Sequence, residues 1–179
     1  MFRRGDHRTG LCDDRWVPQP YSVMIVCTGN ICRSPMAEVV LRERFAAAGL
    51  GDQVVVDSTG VSDEEDGNPI DRRARAVLVS HGYPAGDGHR ARQVRPGDER
   101  DLVLAMTNAH ARALRRLGIE PVLFRSFDPD ATGDLDVADP WYGGASDFED
   151  CLAQIEAAAD GIVEHVRAAL GNALLQQNG

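Results

Sequence analysis

In the stretch VCTGNICRSP, Cys27 and Arg33 are separated by five residues, among them Gly29 and Asn30. A turn through Thr28, Gly29, Asn30, Ile31 and Cys32 can aim successive backbone N–H groups inward as an anion nest. Ser34 and Pro35 then open a helix, whose first N–H groups and dipole add positive potential. Arg33 supplies a planar fork that holds two oxygens of a tetrahedral oxyanion. Residues 28–34 thus predict a pocket for one phosphate dianion. No Lys stands where a nucleotide-binding loop carries one, so a nucleotide's phosphate chain is not the expected guest. A thiol in such a field is favoured as a thiolate nucleophile. In-line attack by Cys27 would give a cysteinyl-phosphate, its equatorial charge held by Arg33 and the loop amides. Ser34 can donate to the sulfur and help it leave. A cysteine ending a buried strand is most often only a small core hydrophobe; the spacing to Arg33 across Gly, Asn, Ser and Pro argues for chemistry instead.

Such chemistry needs an acid for the leaving group, and DPWYGG offers Asp139. Pro140 keeps Asp139 out of helical geometry. A carboxyl shielded by Trp141 and Tyr142 is expected to hold its proton long enough to act as a general acid, then to activate water as the base. As pocket walls, Trp141 and Tyr142 suit a flat aryl leaving group.

Strands alternating with helices must position these groups. YSVMIVC reads as a buried strand, followed by a helix from Ser34 to Gly49. QVVVDS is a second strand, DRRARAVLVSHG a helix ending at Gly82, and RDLVLAM a third strand. NAHARALRRLG is a helix ending at Gly118, and PVLFRSF a fourth strand. The last helix runs from about Asp147 to Leu170, with Leu152, Ile155, Ala159, Ile162, Val163, Val166 and Leu170 as its apolar stripe. The expected class is α/β: three layers, a four-stranded parallel sheet with helices on both faces. Ligands of such sheets bind beyond the strands' carboxyl ends, where the Cys27 loop begins.

Residues 1–20 lack apolar periodicity and read as a disordered extension; 21–170 form one domain and 171–179 a flexible tail. Apolar content of 43% and charged content of 26% fit a globular domain. A net charge of −9 argues against nucleic-acid binding. No apolar run is long enough to span a bilayer, and the N-terminus has no secretory h-region. A cytoplasmic protein is expected, with signal-independent export left open. The four cysteines, Cys12, Cys27, Cys32 and Cys151, lack zinc-site spacing and do not suggest a disulfide framework. No metal or other cofactor is expected.

VCTGNICRSPMAE together with DPWYGG resembles the low-molecular-weight protein tyrosine phosphatase family, its bacterial members above all, over roughly residues 21–170. The resemblance implies a metal-independent, two-step hydrolysis of phosphotyrosyl protein or small aryl phosphate. Cys27 is then the nucleophile, Arg33 the clamp, Asp139 the acid and base, Asn30 a loop-shaping residue and Ser34 the thiolate's helper. Ser58 and His89 match the family's supporting hydrogen-bond network. Cys32 matches a second loop cysteine that forms a reversible disulfide with the nucleophile. The expected state is a monomer capable of weak self-association.

Two departures stand out. Where the family usually has an aromatic followed by His, VSDEEDGNP puts Glu64 and Glu65 beside the pocket. Glu64 as a wall predicts poor use of acidic phosphopeptides and slower turnover of aryl phosphates. Thr107 stands where the family commonly has Asp. Two alternatives remain at this level. An arsenate reductase of the same fold would need relay cysteines, and residues 70–100 contain none. A catalytically weak phospho-binding module is suggested only by the acidic loop.

Overall fold

The chain's structure, a computed structural model, describes residues 19–177. The expected N-terminal extension and Cys12 thus lie almost wholly outside the described residues. β1 (Tyr21–Cys27) is followed by α1 (Arg33–Ala47), β2 (Val54–Gly60), α2 (Arg72–Ser80), β3 (Leu102–Ala105), α3 (Asn108–Arg116), β4 (Val122–Leu123) and α4 (Ala145–Gln177). The strands form one parallel sheet in the order β2-β1-β3-β4. The chain winds outward from β1 to β2, then crosses back to β3. The carboxyl end of β1 is therefore the switch point of the sheet, where a crevice opens.

Both faces of β1 are covered, which explains its continuous apolar run. Val23, Ile25 and Cys27 face the larger core, built with α1, α2 and α4. Met24 and Val26 face a smaller core with Val103, Ala111, Leu114 and Ile119 beneath α3. Cys27 thus leaves the sheet toward the helix that follows it. Gly49, Gly82 and Gly118 stop their helices with φ of 74°, 82° and 81°, left-handed values that glycine adopts without strain.

Three local expectations are corrected. Ser34 does not cap α1: Cys32 is the N-cap residue, and Ser34 lies inside the first turn with its hydroxyl turned toward Cys27. The fourth strand is only Val122–Leu123, and Phe124–Phe127 turns into a 3-10 helix. Packing drives that change, because Phe124 is fully buried and α4 passes so close that a Cβ on Gly161 would lie 2.1 Å from the Phe127 carbonyl oxygen. Finally, α4 continues through Gly171 to Gln177 rather than ending at Leu170. Its stripe is otherwise as expected, with Leu152, Ile155, Ala159, Ile162, Val163 and Val166 buried.

Candidate active site

β1 ends at the buried Cys27, and residues 28–32 turn the chain into α1. The backbone N–H groups of residues 28–34 have no acceptor among the described residues, so they are available to a bound oxyanion. The turn is possible because Asn30 takes φ 58°, a conformation unusual for a residue with a side chain. Its amide compensates by bonding in three directions. Nδ2 donates to Ser34 Oγ at 2.9 Å and to Ser58 Oγ at 2.8 Å, and Oδ1 accepts from the Arg92 N–H at 3.0 Å. The Asn30 carbonyl accepts from His89 Nε2 at 2.6 Å. The two residues expected to support the loop, Ser58 and His89, thus both meet Asn30.

Ser34 Oγ is 3.0 Å from Cys27 Sγ and 3.3 Å from the Thr59 carbonyl. Since Asn30 already donates to this oxygen, the single Ser34 proton has two acceptors in reach, the Thr59 carbonyl and the sulfur, and a thiolate at Cys27 draws it to the sulfur. Behind it, Ser58 Oγ donates to Glu38 Oε2 at 2.5 Å, and Glu38 pairs with Arg42 at 2.6 Å. Gly60 ends β2 directly under the loop. A Cβ there would lie 2.4 Å from the Thr28 carbonyl oxygen, so no larger residue fits without displacing the loop backbone.

Arg33 is buried, and its Nη2 donates to Asp139 Oδ2 at 2.6 Å and to Thr28 Oγ1 at 3.2 Å. Nη1 reaches the Val137 carbonyl at 3.4 Å. Asp139 Oδ1 accepts from the Trp141 N–H at 3.2 Å across Pro140, an Asx turn that holds the carboxyl. The aromatic shield expected around Asp139 is not what holds it. The carboxyl side chain is 44% exposed and Tyr142 94% exposed, and the ion pair with Arg33 is its anchor instead.

A second arginine straps this loop down. Arg73 Nη1 donates to the carbonyls of Trp141 at 3.0 Å and Gly143 at 3.3 Å, while its guanidinium lies 5.4 Å from the Trp141 ring centre. Asp71, which caps α2, binds Arg73, and its N–H donates to the Ile31 carbonyl at 2.8 Å. The α2 N-terminus thus joins the two loops that carry Cys27 and Asp139.

A cleft of about 160 Å³ opens over the loop, lined by Cys27, Arg33 and Asp139 but not by Asn30, Ser34 or Arg73. Cys27, Arg33, Ile31 and Cys32 form its floor, and Asp139, Trp141, Tyr142, Glu64 and Glu65 its walls. Glu65 folds over Gly29, where a Cβ would meet its Cγ at 2.9 Å. Glu64 and Glu65 both lie along the cleft.

The sequence model of the family described as low molecular weight phosphotyrosine protein phosphatase matches residues 22–172. The chain belongs to this family. A low molecular weight protein-tyrosine-phosphatase of Streptomyces coelicolor is 49% identical over 156 residues, covering 82% of this chain and 94% of the relative. Low molecular weight protein-tyrosine phosphatase A of Mycobacterium tuberculosis is 48% identical over 154 residues, covering 82% and 92%. Among solved structures, a protein tyrosine phosphatase of Entamoeba histolytica superposes with a TM-score of 0.77 at 27% identity, covering 83% of this chain and 98% of its own.

Four residues that shape this low molecular weight phosphatase site escape a reading by motif: Glu38, Gly60, Arg73 and His110. Glu38 follows Ser34 by four residues, so it lies on the same helix face, a signal present in the sequence. Arg73 and His110 come from helices far away along the chain, and only the fold brings them to the loop. Thr107 caps α3 by accepting the His110 N–H at 3.2 Å.

Proposed function

We propose that the chain is a protein tyrosine phosphatase that hydrolyses phosphotyrosine and aryl phosphate monoesters through a cysteinyl-phosphate. The observation that carries this reading is the convergence on one cleft of Cys27, Arg33, Asp139 and the amides of residues 28–34, which have no acceptor among the described residues.

Phosphoryl oxygens bind the loop N–H groups and the Arg33 fork, taking over the Nη2 position that Asp139 occupies. Asp139, released from its ion pair, faces the ester oxygen. The Cys27 thiolate attacks phosphorus, the P–O bond to the aryl group breaks, and protonated Asp139 gives its proton to the departing oxygen. In the second step, Asp139 as carboxylate takes a proton from water, water oxygen attacks phosphorus, and the S–P bond breaks. The electron pair returns to sulfur, where the Ser34 hydroxyl stabilises it. Arg33 and the amides hold the equatorial charge in both steps. Asn30, Ser58 and His89 keep the loop in its wound shape.

Cys32 is the partner for a reversible disulfide with Cys27. Burial, reinforced by the Asp71 charge, pushes the Cys32 thiol up. No described helix is long and apolar enough to cross a membrane, and we assign a monomeric protein working in the cytoplasm on phosphoprotein substrates.

The deciding experiment is p-nitrophenyl phosphate hydrolysis in the presence of chelator. Cys27→Ser is expected to abolish turnover, and the wild type quenched in acid after radiolabelled substrate should carry phosphate on Cys27. Activity in Cys27→Ser, or a wild type at background, would overturn the reading.

A further inference from the structure

We propose that His110 is a positioning residue of the phosphate clamp, acting through Thr28 on Arg33; this rests on the phosphatase reading above. His110 Nε2 lies 2.9 Å from Thr28 Oγ1, and Nδ1 lies 2.9 Å from Thr107 Oγ1. One ring therefore spans from the N-terminus of α3 to the loop after β1. Thr28 Oγ1 in turn accepts from Arg33 Nη2 at 3.2 Å, the same nitrogen that holds Asp139.

A neutral imidazole has one donor and one acceptor. In one tautomer the Thr107 hydroxyl donates to Nδ1 and Nε2–H donates to Thr28 Oγ1; in the other Nδ1–H donates to Thr107 Oγ1 and the Thr28 hydroxyl donates to Nε2. Thr28 Oγ1 accepts from Arg33 in both, so the ring anchors that oxygen whichever nitrogen carries the proton.

The ring is 5% exposed and faces Arg33, Asp139 and Asp136. Burial and the Arg33 charge push it down to about 4, against the two carboxylates. His110 therefore works as a neutral group, adding no second cation to the clamp. Its role emerges once substrate displaces Asp139 from Arg33. The Thr28 oxygen, fixed by His110, is then a remaining acceptor that holds Nη2 in the plane needed to grip the phosphoryl group. Loss of that restraint weakens the grip without touching the thiol.

The test compares wild type, His110→Phe, His110→Gln, Thr28→Val and the His110→Phe/Thr28→Val double variant. His110→Phe keeps a ring but loses both hydrogen bonds, and His110→Gln retains a polar end. Inhibition by inorganic phosphate, kcat and KM for p-nitrophenyl phosphate, and the rate of Cys27 alkylation by iodoacetamide would be measured. His110→Phe is expected to raise the phosphate inhibition constant and lower kcat/KM by about tenfold, the order of one charge-assisted hydrogen bond. Alkylation should be unchanged, His110→Gln should recover most of the loss, and the double variant should be no worse than Thr28→Val alone. Unchanged phosphate inhibition in His110→Phe, or losses that multiply in the double variant, would overturn the proposal. Should His110→Phe not fold, nitrogen NMR of the wild type decides: a charged His110 at pH 6, or ring signals indifferent to phosphate binding, refutes it. The phosphatase reading itself stands or falls separately, on wild-type turnover and its loss in Cys27→Ser.

Discussion

Asp139 Oδ2 sits 2.6 Å from Arg33 Nη2, so the proposed acid and the proposed clamp share one contact. Phosphate binding has to break that pair, and doing so aims the carboxyl at the leaving oxygen. Asp139→Asn should lower kcat by about 10²–10⁴-fold, the range for a lost general acid. The loss should be larger for phenyl phosphate than for p-nitrophenyl phosphate, whose leaving group needs less protonation. Phosphate inhibition should not weaken, because Arg33 is no longer held by a carboxylate. Equal losses on both esters would argue against Asp139 as the proton donor.

Asn30 is fully buried, carries φ 58° and satisfies Ser34, Ser58, Arg92 and His89 at once. Asn30→Ala keeps the backbone strain and deletes three side-chain bonds. A cost of about 2–4 kcal/mol follows from hydrogen-bond and strain magnitudes. Asn30→Gly should recover only the strain component, about 1 kcal/mol. Urea unfolding of the three proteins measures both differences, and kcat should fall in each variant because Ser34 loses its orienting donor. A stability change within error of zero for Asn30→Ala would show that the loop does not depend on this amide.

The sequence carries the site unevenly, and the reason is physical. The Cys27 loop is local: strand end, turn residues and helix start follow one another, so their spacing encodes the geometry directly. The order of strands and helices is legible for the same reason, since apolar period and glycine stops are local signals. Contacts that depend on crossing the sheet are not. Arg73 reaches the Asp139 loop across 68 positions to Trp141, and His110 reaches Thr28 across 82. Neither pairing leaves a mark on its own helix. The shortened fourth strand is likewise set by α4 pressing on Phe127, not by its apolar run.

Glu64 and Glu65 bring negative charge to the wall of an anion cleft. Glu65 is tied to Asn68 Nδ2 at 2.7 Å, whereas Glu64 is the better placed to meet residues flanking a phosphotyrosine. Peptides with Lys or Arg beside the phosphotyrosine should therefore have higher kcat/KM than acidic ones, by roughly 2–5-fold for an exposed charge pair. The preference should shrink as salt rises and disappear in Glu64→Gln. Glu64→Trp should in addition speed aryl phosphate turnover by adding a wall for the ring. A substrate profile unchanged by both substitutions would remove Glu64 from the specificity argument.

The buried His110 also predicts how stability responds to acid. Burial and the Arg33 charge hold it down to about 4 from an ordinary 6.5. Above pH 6.5 the ring is neutral whether the chain is folded or unfolded, and it contributes nothing to pH dependence. As pH falls from 6.5 toward 4, the unfolded chain takes up a proton that the folded protein refuses, so folding is progressively disfavoured. The loss levels off below about 4, at roughly 3 kcal/mol by the usual conversion of pKa to free energy. Carboxylates add their own slopes at lower pH, so the informative quantity is a difference between two proteins. Urea unfolding from pH 7 to pH 4 should show wild type losing more stability than His110→Gln, with the gap opening between pH 6.5 and 4. Parallel curves would mean that His110 protonates freely in the folded protein, which its burial and its contacts with Thr28 and Thr107 argue against.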